Sequence, residues 1–96
     1  MKTQSKIKMA GEVIQVLVDH NTDDWGYYDH DRRLIYISQR AIDYDQYAET
    51  LRHEMMHAAL RIGGVAFNET MEEEALIRCL ETIFFPAWNA IQPAMS

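Results

Sequence analysis

The sequence predicts an α+β fold, with a small β-sheet packed on a motif-bearing helix and a second, glutamate-bearing helix. Two short runs of β-branched and aromatic residues, 13–18 and 34–38, lie in the first half of the chain and read as strands. The second half places apolar residues at helical spacing, with stops at Gly63-Gly64 and Pro86. Its 96 residues, 48% apolar and 25% charged, suffice for one modest core and exclude a disordered or low-complexity chain.

Val13, Ile14, Val16 and Val18 form the first strand, which runs into the polar turn cluster Asp19-His20-Asn21-Thr22-Asp23-Asp24. Trp25-Gly26-Tyr27-Tyr28 and Leu34-Ile35-Tyr36-Ile37-Ser38 read as the arms of a hairpin reversed by Asp29-His30-Asp31-Arg32-Arg33. A helix capped by Asp43 or Asp45 then runs to Ile62. Leu51, Met55, Ala58 and Ile62 line one of its faces, and Met56, Ala59 and Leu60 extend burial around it. The second helix starts near Asn68 or Thr70. Leu76, Ile77, Leu80, Ile83 and Phe84 make its apolar stripe, and Pro86 ends it. The expected organisation is one domain over residues 1–96, with strands and hairpin at about 12–38, the motif helix at about 45–62 and the glutamate helix at about 69–85.

A net charge of −6 offers no basic surface for the phosphates of a nucleic acid. No apolar run is long enough to span a bilayer, and residues 1–11 lack the apolar stretch of a signal peptide. Neither nucleic acid nor membrane is therefore an expected partner. The single cysteine, Cys79, makes no intramolecular disulfide, which fits a reducing compartment and makes the cytoplasm the expected location.

His53-Glu54-Met55-Met56-His57 is a His-Glu-x-x-His motif in the middle of the first helix. Positions i and i+4 share a helix face, so both imidazoles can reach one zinc ion at about 2.0–2.1 Å. Glu54 is displaced about 60° around the helix from His57, beside the ion rather than on it, where a carboxylate can take a proton from water. A catalytic zinc needs a third protein ligand. Glu72, Glu73 and Glu74 are the candidates, and Glu73 ranks first because it lies in register with Leu76, Ile77 and Leu80. The remaining glutamates then read as a solvated first turn that complements the helix dipole.

With Glu73-Glu74-Ala75-Leu76-Ile77 downstream, Leu51-Arg52-His53-Glu54-Met55-Met56-His57-Ala58 resembles the zincin metallopeptidases, specifically the gluzincin branch. It is similar to the small phage- and prophage-encoded minimal gluzincins, whose early strand, aromatic hairpin and “Leu-x-His-Glu-x-x-His-Ala” helix are matched over roughly residues 12–85. Metzincins would need Gly at Leu60 and His or Asp at Gly63. The resemblance implies a zincin-like fold holding Zn2+ through His53, His57 and Glu73 or a neighbouring glutamate. It also implies Glu54 as the catalytic base in peptide-bond hydrolysis. In that family a sheet-edge strand borders the cleft, and here residues 34–38 look like that strand.

The expected partner is accordingly a peptide or protein substrate. The alternative is a non-catalytic, zincin-like metal-binding protein that acts as a phage or prophage regulatory or assembly partner. Exposed aromatics at Tyr27, Tyr28 and Trp88 would favour that alternative or a homodimer. Tyr27, Tyr28, Tyr36, His20 and His30 are candidates to donate a hydrogen bond to an oxyanion, although each reads more readily as structural. Trp25 and Trp88 read as packing residues and Cys79 as a small buried hydrophobe.

Overall fold

The sheet begins with a strand that the sequence reading passed over. In a computed structural model, which describes residues 3–21, 23–65 and 72–89, β1 (Thr3–Met9) pairs antiparallel with β2 (Glu12–Asp19). Their connection is the two-residue turn Ala10-Gly11, with φ of 49° and 81°. Positive φ at both central residues is the type I′ geometry whose twist matches that of a hairpin. β3 (Gly26–Asp29) follows, then β4 (Leu34–Ser38), which lies antiparallel to β3 and parallel to β2. The result is an α+β fold with a small mixed sheet of strand order β1-β2-β4-β3.

This order corrects one expectation. β4 has a partner on both sides, so its main-chain groups are committed to the ladder, and β3 is the outer strand on that side. The expected cleft-bordering role of residues 34–38 therefore does not fit their place in the sheet.

One face of the sheet is the core. Ile14 and Val16 of β2 and Ile35 and Ile37 of β4 are fully buried there with Ala41 and Ala58, and Ile7, Met9 and Tyr28 pack at its margin. Period-2 alternation sends Leu17, Tyr36 and Tyr27 to the opposite face, where the Tyr27 and Tyr36 rings stack 4.4 Å apart.

The segment after β4 differs from the expected single helix. Ser38 caps a short α1 (Gln39–Asp43), its buried Oγ accepting from the Ala41 N–H at 3.1 Å. Asp43 ends this helix, and Asp45 sits at φ 58°, a left-handed conformation outside any cap. α2 (Tyr47–Ile62) starts behind Gln46, which makes no side-chain cap bond. It ends as predicted from the glycines. Gly64 at φ 72° donates to the Arg61 carbonyl and Val65 to the Leu60 carbonyl, the two bonds of a Schellman motif. Tyr47, Leu51, Met55, Ala58 and Ile62 of α2 join the core, whereas Ala59 is exposed and Met56 and Leu60 are half-buried.

The chain forms two compact units, Met1–Val65 and Ala66–Ser96. Asn68 and Thr70, the expected starts of the second helix, lie outside the described residues; α3 spans Glu73–Cys79. A π-helical turn, Leu80–Phe84, follows, and helical backbone continues over residues 85–89, past Pro86. Proline clashes with the carbonyl four residues earlier, here that of Thr82, which lies inside the wider turn. The Phe85 N–H reaches the Leu80 carbonyl, so the register has already shifted to i−5 when the proline arrives. No described helix is long and apolar enough to cross a membrane.

Candidate metal centre

Packing on the sheet divides α2 into rows. Its buried residues are Thr50, Glu54 and Ala58, spaced by four and hence stacked along one line of the helix. Glu54 is only 7% exposed although it carries a carboxylate. Adjacent to this line stand His53 and His57, both half-buried. Their ring centroids are 5.0 Å apart with the planes inclined at 60°. The helix thus presents two imidazoles side by side, with Glu54 alongside them on the face turned to the sheet.

In the second unit, α3 opens with its acidic turn. Glu72 stands exposed at the N-cap with extended backbone, Glu73 is half-buried and Glu74 is exposed. One nitrogen from each of His53 and His57 and one carboxylate oxygen of Glu74 lie within 4.8 Å of one another. Of the three glutamates considered from sequence, Glu74 is the one in this cluster, while Glu73 was ranked first. Two neutral imidazoles and one carboxylate are a donor set that zinc takes in hydrolytic sites, where the protein leaves a fourth position open. The residues present fit the metal.

Three of the proposed oxyanion donors, Tyr27, Tyr28 and His30, are engaged in side-chain hydrogen bonds. The Tyr27 hydroxyl donates to Asp19 Oδ2 at 3.3 Å, and burial, reinforced by the Asp19 carboxylate, raises its pKa above the ordinary value. The Tyr28 hydroxyl is 2.9 Å from His30 Nδ1, and burial raises its pKa against the opposing pull of Arg33. Tyr36 is buried under Tyr27, and His20 stands exposed in the turn after β2. Of the three aromatics whose exposure would favour a partner or a homodimer, Tyr27 and Trp88 are exposed and Tyr28 is half-buried.

One further expectation is corrected, that for Cys79, whereas the packing role expected of Trp25 and Trp88 is seen. Cys79 is exposed, because it lies outside the stripe headed by the fully buried Ile77. Trp25 and Trp88 are each 41% exposed and pack at the surface. Trp25 lies edge-on to Tyr44 with the Arg40 guanidinium 4.9 Å above its ring, and Trp88 stacks on Phe84. Sequence reasoning also passed over Gly26, whose open α-carbon faces Thr50 and Glu54. An isolated glycine between two aromatics in a strand is the signal that marks such a close approach.

Compared with protein-family models, curated proteins and solved structures, the chain matches none.

Proposed function

We propose that this protein is a zinc-dependent peptidase of the zincin type, with His53, His57 and Glu74 as metal ligands and Glu54 as general base. The observation that carries the reading is the cluster of two imidazole nitrogens from α2 and one carboxylate oxygen from α3 within 4.8 Å, with Glu54 buried on α2 between the two histidines in sequence. Zinc held there supplies Lewis acidity towards a carbonyl and lowers the pKa of water. Glu54 takes the proton of the attacking water and passes it to the departing amine nitrogen. His53 and His57 anchor from a helix fixed on the sheet, and the glutamate of α3 completes the set. β3, the outer strand among the described residues and in contact with α2, supports an extended peptide as substrate, since main-chain pairing suits a strand edge.

The test is metal content per chain by elemental mass spectrometry on protein purified without added zinc. Near one zinc per chain is expected, lost in His53→Ala and Glu74→Ala and kept in Glu73→Ala. Loss in Glu73→Ala with retention in Glu74→Ala would exchange the two glutamates and leave the rest of the reading intact. Cleavage of a peptide library should then disappear in Glu54→Gln while zinc remains. Zinc bound without any cleavage would favour the metal-binding, non-catalytic alternative. A native protein that takes up no zinc refutes both.

A further inference from the structure

We infer that Gly26 is a positioning residue for Glu54: the missing side chain on β3 sets how deep the proposed base sits beside the histidine pair. The inference rests on the zinc-site reading above and extends it to a residue outside the motif.

The geometry is specific. A Cβ at residue 26 would stand 2.8 Å from Thr50 Cγ2, 2.8 Å from the Tyr36 carbonyl oxygen and 3.5 Å from Glu54 Cγ. Real Cβ atoms essentially never approach as closely as the first two distances, and one of the atoms is backbone of the adjoining strand, which yields less readily than a side chain. An added methyl therefore pushes on Thr50, on the helix side, and comes to rest in van der Waals contact with Glu54 Cγ. Thr50 and Glu54 are successive members of the buried line of α2, so a methyl that crowds Thr50 and lies against Glu54 Cγ turns the Glu54 side chain from its rotamer, while the backbone turn shared with His53 stays in the helix. His53 and His57 lie on the neighbouring line, and two ligands of an i, i+4 pair travel together, so they retain their mutual spacing. Gly26→Ala should thus disturb the relation of Glu54 to the metal far more than the binding of the metal.

The experiment uses the full chain loaded with cobalt(II), whose visible absorption reports the surroundings of the ion. Gly26→Ala is expected to bind one cobalt with native-like affinity. Its spectrum should shift in the direction given by Glu54→Gln, and kcat for peptide cleavage should fall about 10–100-fold with KM little changed, as for a misplaced general base. Adding Thr50→Ser, which removes the Cγ2 methyl, should recover part of both. If Gly26→Ala does not fold, Thr50→Ile crowds the same contact from the helix side and should produce the same spectral shift. A wild-type spectrum and kcat in a folded Gly26→Ala or Thr50→Ile protein overturns the inference and leaves Gly26 as packing alone. The spectrum decides the matter even if no peptide is cut, which separates this inference from the peptidase reading. Refusal of cobalt by the native chain would overturn both.

Discussion

α2 is 16 residues long, closes in a Schellman motif and sets Thr50, Glu54 and Ala58 into buried positions, with Leu51, Met55 and Ile62 on the core. α3 has 7 residues and a single fully buried one, Ile77. Beyond it the π turn and its continuation show Ile83, Phe84 and Trp88 to solvent at 67%, 51% and 41% exposure. The difference teaches where rigidity in the candidate site originates. The histidine pair inherits its geometry from a packed sheet, whereas the helix bearing the glutamates draws order from far fewer buried groups.

The sharpest way to break this comparison is to cut equally into both regions. Ile37→Ala, in the fully buried centre of β4, should cost about 2–5 kcal/mol. Phe84→Ala should stay within about 0.5 kcal/mol because its ring is half in water. Urea unfolding of both variants measures the pair, and equal costs would refute the contrast. Next come the ends of the helices in the first unit. Ser38→Ala loses the cap of α1 and Gly64→Ala forces a Cβ into left-handed backbone; each should lower stability by about 1 kcal/mol in the same assay. A smaller gain is expected from Ala10→Asn. Alanine is a poor occupant of the left-handed first turn position, and asparagine should recover about 0.5 kcal/mol, seen as a rise in Tm.

The smallest effect is alkaline, and it belongs to the sheet. Tyr27 and Tyr28 have pKa values raised above 10.0 by burial, so the unfolded chain loses these protons first. Their contribution is complete below about pH 10 and declines as pH rises through the folded values. Thermal unfolding followed from pH 8 to 11 should show that decline, flattened in Tyr28→Phe. The second unit contains no tyrosine and adds nothing to it.

What the sequence made legible follows the same division. The inner face of α2 could be read because Leu51, Met55, Ala58 and Ile62 repeat at helical spacing and the packing respects that repeat. β2 and β4 were visible as concentrated β-branched runs. β1 was not: Lys6-Ile7-Lys8-Met9 does alternate as a strand should, but two apolar residues make a weak signal, and Ala10 is an atypical residue for its turn. The place of β4 in the middle of the sheet was also hidden, because parallel pairing with β2 is a long-range choice that no local pattern encodes. The motif announced the histidine pair, but the choice among three successive glutamates depends on rotations of about 100° per residue that a helix start displaced by one or two positions reassigns.

The buried line Thr50–Glu54–Ala58 has a consequence for anyone who would redesign this chain. A carboxylate is among the least favourable groups to withdraw from water, and here it occupies the helix line most fully covered by the sheet. Selection of variants for thermal resistance alone should therefore drive residue 54 towards an apolar side chain and remove the proposed base. An engineer who wants both properties has to hold Glu54 and Gly26 constant from the start and gather robustness elsewhere, at turns such as Ala10-Gly11.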